Sequence, residues 1–231
     1  MYDFYYYGMD SLYIYLIVPA IIIMIWSQIR VKTAFSKYSA FHSALTGADA
    51  ARRVLEAYGI GNVKIERVSG SLTDHYDPRT NVIRLSDSVY GANNLSAVGV
   101  AAHEAGHAVQ YAKGYMPIRV RSVILPVCNL GSQLSVPLLI IGLVFNFYFL
   151  VKLGVIFFCV ALVFQLLTLP IEFNASRRAM ETLETSGLVK DENEKKAIRS
   201  VLSAAAMTYV AALLVSLTQL IRLLAVTKRR R

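Results

Sequence analysis

The chemistry in this chain is densest at His103-Glu104-Ala105-Gly106-His107. Two imidazoles four positions apart fall on one face of a helix, where both can grip a single metal ion, and the carboxylate after the first can face water instead of metal. Neutral imidazoles suit zinc, and zinc in a hydrolase takes three protein ligands and keeps one position open. The pattern therefore predicts zinc-dependent hydrolysis. His103 and His107 are two of the ligands, and Glu104 takes a proton from the attacking water and hands it to the leaving amine. The flanking Val100-Ala101-Ala102 and Ala108-Val109 are uncharged and free of proline, as a helix buried against a metal site requires.

The elements that must position these groups belong to a membrane protein. Of the 231 residues, 55% are apolar and only 17% charged, and the mean hydropathy is +0.47. An ordinary soluble domain carries less apolar and more charged sequence. The net charge of +9 comes from Lys and Arg placed beside hydrophobic runs rather than gathered in one module, which fits a cytoplasmic-side charge bias and argues against a nucleic-acid partner. Cys128 and Cys159 lie in or beside apolar stretches with no CxxC or Cys/His partner, so neither a disulfide framework nor a thiolate zinc site is expected.

Taken in order, residues 1–30 read as an uncleaved transmembrane anchor. Leu12 to Trp26 is apolar, Tyr5 to Tyr7 and Trp26 suit the interfacial belts, and Arg30, Lys32 and Lys37 follow, which puts the N-terminus outside. Residues 31–133 form the cytoplasmic catalytic part. Within it, 48–58 has helical periodicity closed by Gly59 and Gly61. The stretches 62–68, 72–76 and 82–85 alternate as strands around the turn Asp77-Pro78-Arg79-Thr80-Asn81, giving a small antiparallel sheet with a hairpin. Its edge is either structural or a place where an extended peptide adds as a strand. Asn93 or Asn94 caps the motif helix, and Gly114 followed by Pro117 ends it.

Residues 134–169 read as a transmembrane hairpin, Leu134 to Leu150 and Leu153 to Leu169 split by Val151-Lys152, with Asn146 and Lys152 at its outer tip and Arg119, Arg121, Arg177 and Arg178 at its inner ends. Two crossings return the chain to the face it left, so the helix opening at Pro170, within a segment 170–200 that ends in charge, shares a side with the motif. Glu172 is placed there either as the third ligand, with Glu181 and Glu184 as rivals, or as a plain helix N-terminal carboxylate favoured by the dipole, and Ser176 is one turn on from Glu172, where it could support a ligand by hydrogen bonding. Residues 201–231 form a C-terminal hydrophobic helix and basic tail. The helix reads equally as a polar-faced membrane helix, an interfacial helix, or a fourth span that sets Lys228 to Arg231 against the charge rule.

HEAGHAVQ, LTDHYDPRTNVIRLS and EFNASRRA resemble the YugP-like family of neutral zinc metallopeptidases of membranes over nearly the whole chain, and more distantly the HtpX-like and CAAX prenyl endopeptidases. The resemblance implies His103, His107 and Glu172 as zinc ligands and Glu104 as general base and acid. Where the wider group ends its EFxAD motif in Asp, this chain has Ser176. The expected fold is a mostly α integral membrane protein with a zincin-like α+β catalytic part, a small antiparallel sheet and three or four transmembrane helices. The expected function is a multi-pass endopeptidase of the cytoplasmic membrane whose site faces the cytoplasm, acting on proteins or peptides, membrane proteins among them. A catalytically silent zinc-binding scaffold and a membrane interaction protein with a fortuitous motif are the rivals. Other polar residues give weaker signals: His75 could help bind an oxyanion from the hairpin or be a turn histidine, and His42 has no supporting context.

Overall fold

The computed structural model describes residues 11–229. Tyr5 to Tyr7, Arg230 and Arg231 lie outside the described residues. The elements are α1 (Ser11–Ser39), α2 (Gly47–Ala57), β1 (Lys64–Val68), β2 (His75–Asp77), β3 (Val82–Ser86), α3 (Leu95–Ala112), α4 (Met116–Val144), α5 (Tyr148–Thr185) and α6 (Glu192–Arg229). They form two units, one from 1–27, 120–169 and 208–231, the other from 28–119 and 170–207. Among the described residues, four helices, α1, α4, α5 and α6, are long and apolar enough to cross a membrane, so the fold is that of a mostly α multi-pass membrane protein with a small sheet.

The second unit holds the motif. Its α2 opens with a capping box, in which the Thr46 hydroxyl accepts from the Asp49 N–H and the Asp49 carboxylate accepts from the Thr46 N–H, a device that stabilises a helix by about 1 kcal/mol. Ala48, Ala50, Ala51, Val54 and Leu55 then form one buried stripe that packs into the same core as α3. The motif helix α3 is capped by Asn94, whose side-chain oxygen accepts from the Ala97 N–H at 2.9 Å. It stops before Gly114, which takes a left-handed φ of 67°.

The sheet is mixed rather than antiparallel throughout. Its order is β1-β3-β2; the expected hairpin is β2 with β3, while β1 lies parallel to β3 on the other edge. Residues 69–74 carry the chain from one edge to the other, leaving the central place for β3. Asp74 fastens that crossing: its carboxylate accepts from the Ser86 N–H at 2.7 Å and from the Ser86 hydroxyl at 3.0 Å at the end of β3. Asp87 accepts from the Gly70 N–H and from Arg67. Alternation of side chains marks strands, but it says nothing of which neighbour a crossing strand will choose.

The part of α5 after Pro170 completes this core. Ile171, Ala175, Ala179 and Leu183 recur at helical spacing and are fully buried; burying a side chain the size of Ile171 or Leu183 contributes about 1.5–3 kcal/mol. A Cβ on Gly106 would lie 2.6 Å from the Ala175 carbonyl oxygen, so α3 and α5 approach backbone to backbone at the motif itself. Pro170 does not open a separate helix as expected. It sits inside α5, which runs on through it; a proline costs one hydrogen bond and a local distortion, and packed neighbours can hold the helix together across it.

In the first unit, α4 and α5 pair closely. The Ser135 hydroxyl donates to the Gly154 carbonyl at 3.0 Å, and Leu139, Val151 and Val155 form a buried cluster flanked by Leu220 and Leu223 of α6. Many of its apolar side chains, Val123, Val127, Val136 and Ile140 among them, point outward, a surface suited to lipid. The tip between the two helices falls at Phe145-Asn146-Phe147, so Asn146 sits at the turn as expected while Val151-Lys152 does not divide the pair. Asn146 adopts the left-handed φ of 54° that the turn needs. Lys152 is instead a turn inside α5, its ammonium 4.6 Å from the centre of the Tyr148 ring, because a long basic side chain can stay helical and carry its charge along an aromatic face. Cys128 is buried and Cys159 half-buried, both as free thiols.

Candidate metal centre

Helix α3 presents His103 and His107 on one face, with ring centroids 4.7 Å apart and ring planes near perpendicular. Glu172, 4% exposed on α5, closes the group. Its Oε2 lies 3.2 Å from His103 Nε2 and 3.5 Å from His107 Nε2. One ligand atom from each residue falls within 4.8 Å of the other two, so His103, His107 and Glu172 form a group able to hold zinc. The donor set of two imidazoles and a carboxylate matches the borderline preference of zinc, and three protein donors leave a position for water or substrate.

Each histidine is held by its other nitrogen. His103 Nδ1 lies 3.0 Å from the Ser176 hydroxyl, so the residue that replaces the Asp of the wider motif still reaches the imidazole. His107 Nδ1 lies 3.0 Å from Gln110 Oε1, to which it donates. The Gln110 amide is fully buried, and its nitrogen donates onward to the Ile171 carbonyl at 2.8 Å and to Asn174 Oδ1 at 3.0 Å; Arg178 donates to the same Asn174 oxygen. The Gln110 oxygen fixes the His107 tautomer with the proton on Nδ1, and the two contacts together turn both Nε2 atoms toward Glu172. They also tie the motif helix to the helix that carries Glu172. Burial works to lower the His107 pKa, but the hydrogen bond with Glu172 and the charges of Glu104 and Glu172, with Gln110 assisting, raise it above its ordinary value.

Glu104 does not join this group. Its Oε2 accepts the backbone N–H of Tyr76 in β2 at 3.0 Å. Nearby Asp74 has its carboxyl raised, chiefly by burial, against the lowering effect of its bonds to Ser86. The rivals for the third ligand are engaged elsewhere: Glu181 is 3.8 Å from Arg177, and Glu184 is 2.6 Å from Arg199. His75 is exposed with Nδ1 on the Thr73 carbonyl, and His42 is exposed with its backbone bridged to Asn94. Sequence reasoning missed the roles of Gln110, Asn174 and the Tyr76 amide. Gln110 could have been found, since it stands three residues after His107 on the same helical face. A backbone amide leaves no mark in a sequence.

Comparison with known proteins agrees with this geometry. Residues 13–228 match a family described as "Putative neutral zinc metallopeptidase". A Bacillus subtilis (strain 168) protein named "Putative membrane protease YugP" is 45% identical over 213 residues, covering 91% of this chain and 94% of that protein. No solved structure matches.

Proposed function

Because the chain belongs to this neutral zinc metallopeptidase family, we propose that it is a membrane-embedded endopeptidase in which His103, His107 and Glu172 hold zinc and Glu104 is the general base and acid. The observation that carries the reading is the meeting of Glu172 with both motif histidines, made by residues nearly seventy positions apart. When bound, zinc supplies Lewis acidity, polarising the scissile carbonyl and making water acidic enough to attack near neutral pH.

The chain's own residues do the rest. Ser176 and Gln110 keep the two imidazoles turned toward the ion. Glu104 uses one oxygen on the Tyr76 amide and has the other to accept the proton of the attacking water. The same carboxyl then returns that proton to the departing amine. Substrates are proteins or peptides, with the lipid-embedded helices favouring membrane proteins and their cytosolic tails. Arg30, Lys32 and Lys37 after the apolar run of α1, together with Arg119, Arg121, Arg177 and Arg178, support a site facing the cytoplasm.

Purified wild type should contain one zinc per chain and cleave a peptide library. Glu104→Gln should keep the zinc and lose at least about a hundredfold in kcat; zinc retained with cleavage unchanged would remove Glu104 from the mechanism. Glu172→Gln should lower zinc content, and unchanged stoichiometry would return the third-ligand role to Glu181 or Glu184.

A further inference from the structure

Strand β2 is an edge: β3 pairs on one side of it, with Tyr76 opposite Ile83, and among the described residues no strand pairs on the other. The outward donor of this three-residue strand is the Tyr76 N–H, and Glu104 takes it at 3.0 Å from 28 residues further along the chain. The amide stands on a braced support. Asp77 accepts from the Arg79 N–H at 2.9 Å, the Thr80 hydroxyl at 2.8 Å and Arg84 at 3.2 Å. The Tyr76 hydroxyl donates to Asn81 at 2.8 Å, and its ring lies 5.6 Å from that of Tyr111 on α3.

A glutamate on a helix face has three torsions free to turn, and fixing them before reaction is worth part of the rate that a general base supplies. On the reading that Glu104 is that base, we propose that the Tyr76 backbone amide is a positioning group for the reaction: it holds Oε2 and leaves Oε1 as the oxygen that takes the proton. The donor is not then a rung offered to an extended substrate. A substrate strand pairing along β2 would have to evict Glu104 from the outward N–H, so binding and base positioning cannot both use it.

Tyr76→Pro deletes the N–H at an edge position where a proline is tolerated, and Tyr76→Ala keeps the N–H while removing the ring. With peptide substrate and zinc-loaded protein, Tyr76→Pro should lower kcat about tenfold more than Tyr76→Ala, with KM within about twofold of the alanine variant. A rise in KM with kcat equal to that of Tyr76→Ala would assign the amide to substrate and overturn the proposal, as would no difference between the two variants. Should the proline variant not fold, judged by lost zinc content, hydrogen exchange at the Tyr76 amide decides. It should be at least about tenfold faster in Glu104→Ala than in wild type, and equal rates would overturn the contact. Zinc-loaded wild type that cleaves nothing would sink the peptidase reading, while the exchange measurement still judges the Tyr76–Glu104 bond.

Discussion

Gln110 determines which nitrogen of His107 is free. Its Oε1 takes the Nδ1 proton and its amide nitrogen is spent on Ile171 and Asn174, so no rotation of the side chain serves His107 equally well. Gln110→Leu removes the acceptor and leaves a buried carbonyl and an amide oxygen short of a donor. Zinc affinity, measured by chelator competition, should fall about 10–100-fold. The raised pKa of His107 makes a second, pH-dependent prediction with opposite signs for the two forms. In metal-free protein a raised value stabilises the fold below the ordinary 6.5 and loses that contribution as pH rises through the folded value. Zinc must displace the same proton, so its binding strengthens as pH rises, and the gain continues above 6.5. Zinc dissociation constants and melting temperatures of stripped and loaded protein, taken from about pH 6 to about pH 8.5, should therefore move in opposite directions, both growing tighter or more stable only for the loaded form.

At the level of elements, the site depends on how near α3 and α5 can come. Gly106→Ala would place a methyl 2.6 Å from the Ala175 carbonyl oxygen, and backbone cannot give way as a flexible side chain can. The helices must part, which costs about 1–3 kcal/mol and draws Glu172 away from the histidines. The variant should show a lower melting temperature and reduced zinc content together; normal zinc with normal stability would mean that the approach is not what sets the ligand geometry. The hairpin is a smaller case. Asp77 is held down to about 2 by the Thr80 hydroxyl first, then the Arg79 N–H and Arg84. A depressed carboxylate stabilises above its ordinary value near 3.8 and loses that contribution as pH falls toward 2, so Asp77→Asn should differ from wild type in hairpin hydrogen exchange at neutral pH and converge with it near pH 2. These elements also show what was legible. The motif helix, the hairpin around Asp77 and the placement of Glu172 follow from periodicity, turn residues and the return of the chain after two apolar runs. The parallel pairing of β1, the passage of α5 through Pro170 and the helical course of Val151-Lys152 do not, because each is decided by a partner distant in sequence or by a backbone conformation that several residue types can adopt.

Over the whole molecule, Glu172 follows His103 and His107 in the chain only after α4 and the first part of α5, so on the proposed reading orientation in the membrane and assembly of the site are one question. The C-terminal segment reads from sequence alone as any of three arrangements; in the structure α6 is a single helix from Glu192 to Arg229, with a span-length apolar stretch. Its Arg222 guanidinium lies 4.4 Å from the centre of the Tyr13 ring, a cation kept among apolar helices by an aromatic face. If the basic residues beside α1 and α4 set the orientation, the polar unit is cytoplasmic and Phe145, 75% exposed at the turn between α4 and α5, is outside. In a chain with Cys128 and Cys159 replaced, Phe145→Cys should react with a membrane-impermeant maleimide on intact cells. Arg52→Cys, at an exposed position on α2, should react only after the membrane is opened. The reverse pattern would turn the molecule over and place peptide hydrolysis outside the cell. Labelling of both from outside would mean that α4 and α5 do not cross, and that Glu172 reaches His103 and His107 without the membrane hairpin as its spacer.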